Sequence, residues 1–163
     1  MILKMGSLLL VFTAVFGNAH PAASQEIKEA QYFCVVEMAG GLSYFKDRKK
    51  WGGTIFQPEG KFVLHVSRVE TRKEGALGVQ TYTMNLTDAG QENKSPCYSI
   101  SGTLNELVEV HTTRYMLCDR SLTQYRFNLI TNRFTAFYYP GFINGQDNDD
   151  NTPVVKGGTC TKI

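Results

Sequence analysis

Downstream of residue 24 there are two histidines, His65 and His111, as candidates for His-based chemistry. Both fall in runs that alternate apolar and polar residues, and neither has an adjacent acid. A Ser-His-Asp arrangement needs a nucleophile on a strained turn and a base within hydrogen-bond reach. No G-x-S-x-G occurs, and Ser101-Gly102 and Asp119 are the partners that remain. The pattern predicts two half-exposed strand histidines rather than a hydrolase. Glycoside hydrolysis needs two carboxyls across a cleft. Glu37, Glu59, Glu70, Glu74, Glu106 and Glu109 are scattered and read as turn or surface acids. Gly157-Gly158 precedes Cys160 with no helix behind it, so it offers no phosphate cradle. No catalytic residue and no cofactor site is assigned, and the chain reads as a non-enzyme.

Metal chemistry fares little better. Oxygen donors at Asp147, Asp149 and Asn151 resemble the start of a calcium loop. The sixth position is Thr152 instead of glycine, and the twelfth is Gly158 instead of glutamate. An ordinary hydrophilic loop is the expectation, since Asn and Asp favour turns. Cys34, Cys97, Cys118 and Cys160 lack the close spacing of a zinc site. No metal ligand is assigned. Asn85-Leu86-Thr87 fits a glycosylation sequon, but its place within a strand argues against use.

The cysteines point instead to export. Lys4 followed by the apolar run Leu8 to Phe16 and the small residues Ala22-Ala23-Ser24 reads as a signal peptide over residues 1–24. That run is too short to span a bilayer, and no later run is long enough. The expectation is one disulfide-bonded β domain over 25–163, periplasmic or secreted, with no stable membrane anchor after cleavage. A domain of this size buries roughly two-thirds of its unfolded surface. Four cysteines allow three pairings. The favoured one joins Cys34 to Cys160, tying the ends, and Cys97 to Cys118, closing a local loop. The formal net charge is +2, with both signs interspersed, which gives no electrostatic footprint for nucleic acid or anionic lipid.

The clearest structural signal is Leu122 to Phe142. Tyr125, Phe127 and Leu129 alternate with polar residues, and Phe134, Ala136 and Tyr138 do so after Thr131-Asn132. A four-residue loop, Ile130 to Arg133, pairs Leu129 with Phe134, Phe127 with Ala136 and Tyr125 with Tyr138, placing all six on one face. Phe137 and Tyr139 point the other way, onto a second packed layer or an exposed aromatic patch; a second layer or a barrel wall is the expectation.

The remaining strands are read as Gln31–Met38, a short Leu42–Phe45, Trp51–Phe56, Lys61–Val69, Val79–Leu86, a Cys97–Leu104/Leu107–Leu117 hairpin and Pro153–Val155. Gly40-Gly41 is expected to turn the chain. The KDRKK cluster (46–50) reads as a solvated hairpin tip, and Gly52-Gly53 as a bulge or bend. ETRKEGALG (70–78) reads as a charged loop. Eight or nine strands with turn signals every 8–12 residues and no amphipathic helix predict an all-β fold. A small antiparallel barrel of about eight strands is preferred to a β-sandwich, because a Cys34–Cys160 bridge ties first strand to last.

The opening Tyr32-x-Cys34, Gly40-Gly41-Leu42-x-Tyr44, Trp51 and Phe56, and the closing Pro153-x-Val155 … Gly158-x-Cys160-x-Lys162, resemble short exported proteobacterial proteins of unknown function. The early Y-x-C and late bridging cysteine are more loosely similar to the barrel inhibitors of C-type lysozyme. In the place of that family's Ser-Gly-x-x-Tyr loop stands Ser101-Gly102-Thr103-Leu104-Asn105, without the tyrosine. The expected role is a non-enzymatic module that binds another macromolecule through loops or an edge. A lipocalin-like carrier of a small apolar ligand is the alternative. The aromatics predict a solid interior.

Overall fold

The computed structural model describes residues 29–74, 77–100, 107–110 and 115–163, with backbone alone for 71–74 and 77–78. Ten strands form one antiparallel sheet: β1 (Glu29–Phe45), β2 (Lys50–Phe56), β3 (Lys61–Glu74), β4 (Leu77–Asp88), β5 (Ser95–Ser99), β6 (Leu107–Val110), β7 (Tyr115–Arg120), β8 (Thr123–Asn128), β9 (Arg133–Tyr138) and β10 (Val154–Lys162). The order β10-β9-β8-β7-β5-β4-β3-β1 closes on itself through β1–β10 pairing. The result is a closed eight-stranded barrel, with β2 added to β1 and β6 added to β4. No helix among the described residues is long and apolar enough to cross a membrane.

Period-two alternation builds the wall. Tyr32, Cys34 and Val36, then Phe62, Leu64 and Val66, then Tyr82, Met84 and Leu86 are buried inward, with less buried neighbours between them. The centre is aromatic. Phe62 meets Phe127, Phe134 and Tyr125 edge-on, at ring-centroid distances of 6.2, 5.1 and 5.9 Å. Such edge-to-face pairs add ~0.5–1.5 kcal/mol each beyond the area they bury.

The seam is fixed by register and by a covalent bond. Cys34 lies opposite Cys160 in the β1–β10 ladder, and their sulfurs are joined. Cys97 on β5 is joined to Cys118 on β7. No free cysteine remains, which indicates an oxidising, non-cytoplasmic environment.

Several local expectations are corrected. β1 runs straight through Gly40-Gly41 instead of turning there. Gly41 is needed for proximity, because a Cβ would overlap the Pro153 carbonyl oxygen. A register shift between Val36 and Met38 instead throws Met38 outward, where it is 63% exposed. β2 pairs with β1 in unbroken register, so Gly52-Gly53 forms no bulge, and Phe45 lies over Gly52. The charged 70–78 stretch is mostly strand: β3 and β4 continue to the Glu74–Leu77 pair. β10 runs from Val154 to Lys162 through Gly157-Gly158. Of the expected 97–104/107–117 hairpin, Leu107–Val110 (β6) pairs with β4 and Tyr115–Arg120 (β7) pairs with β5, while 101–106 and 111–114 lie outside the described residues.

The central hairpin has a four-residue loop, but at Leu129 to Asn132. Phe127 pairs with Phe134, Tyr125 with Ala136 and Thr123 with Tyr138. Turn chemistry explains this two-residue shift in register. The Asn128 carbonyl Oδ1 accepts the N–H groups of Ile130 (3.0 Å) and Thr131 (3.2 Å), and Asn132 takes the left-handed φ of 54° that asparagine tolerates. The buried face is unchanged because the shift is even. Phe137, at 43% exposure, and Tyr139 lie on the outer surface of the barrel wall, where no second layer of the described residues covers them.

Candidate ligand site at the barrel mouth

The residues that suggested chemistry do not converge. His65 lies on β3 with its Nε2 3.3 Å from the Thr87 hydroxyl. Burial, and then the charge of Lys94, hold its pKa below the usual imidazole value. Asp119 lies on β7, separated from β3 by β5 and β4, a span of roughly 14 Å at the spacing of neighbouring strands. His111 and Ser101 to Glu106 fall outside the described residues. Among the described residues no three His, Cys, Asp or Glu side chains gather as a metal group.

The 147–151 oxygens serve a structural purpose. β1 and β2 continue past the barrel as a hairpin with the exposed 46–49 turn at its tip, and the long β9–β10 loop straps it. The Trp51 indole N–H donates to Asp147 Oδ1 at 3.0 Å, and Lys46 Nζ meets Asp149 Oδ1 at 2.8 Å. Tyr138 donates its hydroxyl to Asn151 Oδ1, and Phe142 stands edge-on to Trp51.

The interior is not solid throughout, contrary to the expectation from the aromatics. A cavity of about 280 Å³ occupies the end of the barrel where β3, β8 and β10 begin and β4 and β9 end. Phe62, Phe134 and Tyr125 form its inner wall, with Val36, Ala136 and Val154 beside them. A small inward position helps make the space: Ala136 lines it and faces Tyr125. Gly158, farther along β10, serves the close approach of β1, because a Cβ there would overlap the Val35 carbonyl oxygen. The Glu59-Gly60 turn, Lys61, Thr123 and Tyr138 complete the rim.

Charge at the mouth is ordered by a two-pronged ion pair. Arg120 donates from both terminal nitrogens to Asp88, at 3.1 and 2.7 Å. This pairing holds the Asp88 carboxyl below the usual carboxylate range, and Lys156 adds to the effect. Burial raises the Tyr125 phenol, which stays neutral beside Arg120. Glu59 and Asp88 both border the cavity. Asp88, held ionised by Arg120, is not suited to be the proton donor of a glycosidase pair.

Sequence reading assigned none of these residues to a site. One signal was available: Lys156 is in phase with Gly158 and the bridged Cys160, a two-residue spacing that puts a lysine on the inner face. No family model, no curated protein and no solved structure matches this chain.

Proposed function

We propose that this chain is an exported, non-enzymatic binding barrel that holds a small organic ligand in its mouth. The cavity carries this reading: about 280 Å³ of open space with an aromatic inner wall and a rim that carries Glu59, Lys61, Asp88, Thr123 and Lys156. Small-molecule sites pair apolar surface with polar groups that fix the ligand's orientation. The volume lies just below the ~300–1,000 Å³ of drug-sized sites, which suits a single small ring system. The two bridges and the leader-like residues 1–24 support a periplasmic or secreted location. No nucleic-acid partner is proposed, in keeping with the mixed surface charge.

A macromolecular partner is the second reading. It is favoured by β2, which lies at the end of the strand order with Ile55 at 91% exposure. An open edge of this kind suits strand addition. A role like that of the C-type lysozyme inhibitors would be one form of it, supported by the likeness of the terminal motifs and the seam bridge.

The test is calorimetric titration of the refolded, oxidised protein with 2-naphthalenemethanol, beside a Thr123→Trp variant that fills the rim. Binding that the variant abolishes while its circular dichroism is unchanged supports the ligand reading. Binding that survives in the variant places the probe elsewhere and refutes it.

A further inference from the structure

Lys156 is the feature of the mouth that the fold does not explain. It sits on β10, opposite Ala136 on β9 and Ala39 on β1, on the inward side of the ladder. It lines the cavity and is half-buried. Its charge is felt by Asp88. Yet Asp88 is already held by both prongs of Arg120, and no ion-pair partner for Lys156 occurs among the described residues. Among the described residues, two inward cations, Arg120 and Lys156, thus face one inward anion, Asp88. Glu59 and Lys61 are exposed at the lip and offset one another.

Turning an ammonium inward costs solvation unless something compensates it. An apolar residue at 156 would fill the same position without that cost. The arrangement fits a ligand whose own charge completes the set. From this we infer that the mouth selects small aromatic monocarboxylates, with the carboxylate on the Lys156 ammonium and the ring against Phe62 and Phe134. The inference deepens the binding-barrel reading and rests on it.

The surroundings restrict the class further. A dianion such as a phosphate monoester needs a second free cation or a row of N–H donors. The Arg120 fork is occupied, and the Tyr138 hydroxyl is given to Asn151. Among the described residues of the mouth, one ammonium without an ion-pair partner matches one carboxylate. Phe62 and Phe134 stand nearly perpendicular, with centroids 5.1 Å apart, and offer an edge and a face to an incoming ring.

The experiment compares 2-naphthoate with 2-naphthalenemethanol, equal in shape and different in charge, by calorimetric titration of the oxidised full domain. Wild type is expected to bind the acid ~tenfold tighter, the scale of one charge-assisted hydrogen bond at a partly wet site. Lys156→Met should remove that preference and leave the alcohol within about twofold, whereas Lys156→Arg should keep it. Added salt should weaken the acid alone. Equal binding of the two probes to wild type, or an acid preference that survives in Lys156→Met, would overturn the carboxylate assignment and leave the cavity reading intact. Failure of both probes to bind wild type would overturn the two together. Should Lys156→Met not fold, the wild-type comparison and its salt dependence decide the matter without it.

Discussion

The two disulfides make unequal demands on the unfolded chain, and the inequality can be measured. The seam bridge Cys34–Cys160 spans 126 residues of sequence, and Cys97–Cys118 spans 21. By loop-closure entropy the first contributes ~4.9 kcal/mol and the second ~3.4 kcal/mol. All four cysteines are buried, so replacing either pair by alanine leaves similar voids, and those costs cancel in the comparison. Cys34→Ala/Cys160→Ala should therefore be less stable than Cys97→Ala/Cys118→Ala by ~1.5 kcal/mol.

The native structures of the variants should differ little at the seam. A long ladder from Tyr32–Lys162 to Gly41–Val154 still holds β1 to β10 without the bridge. β5 and β7, by contrast, share two pairs among the described residues, Tyr98–Asp119 and Ser99–Cys118. Urea unfolding followed by far-ultraviolet circular dichroism, with each variant oxidised at its remaining pair, gives both stabilities. If the Cys97→Ala/Cys118→Ala variant proves the less stable, the weak β5–β7 contact in the native state outweighs unfolded-chain entropy, and the reasoning fails.

Two further perturbations follow from the wall of the barrel. Gly158→Ala should abolish the oxidised fold, because the new methyl overlaps the Val35 carbonyl at the seam; a variant that keeps wild-type dichroism and melting temperature would mean β1 and β10 sit farther apart. Asp119 has a buried Oδ1 with no partner among the described residues, and burial raises its carboxyl pKa despite the Gln124 hydrogen bond. A raised folded pKa makes the ionised form costly above that value and costless below the ordinary carboxylate range near ~3.9. Asp119→Asn should thus stabilise the protein at neutral pH, with the gain fading as pH falls toward the ordinary range; a gain that is constant with pH would show that charge is not its cause.

The alternation in β1, β3, β4, β8 and β9 was legible because a half-buried strand leaves a period of two. The cysteine pairing was legible because a closed barrel brings first strand beside last. What escaped was set by contacts between distant residues. Gly40-Gly41 looked like a turn, yet Gly41 makes room for Pro153, more than a hundred residues away. The hairpin register turned on whether Asn128 would cap the loop with its side chain, a choice two residues removed from the apolar pattern. The outward placement of Phe137 and Tyr139 depended on nothing being left to cover them. The cavity was hidden for the same reason. Ala136 is unremarkable until the ladder places it opposite Lys156 at one end of the barrel.

The direct test of the proposed site is a carbon-13 methyl spectrum titrated with 2-naphthoate. Ring currents should move the methyls of Val36, Ala136 and Val154, which line the mouth, and leave Ile55 and Val155 on the outer surface in place. Movement of the outer methyls alone, or of none, would contradict a ligand site inside the barrel.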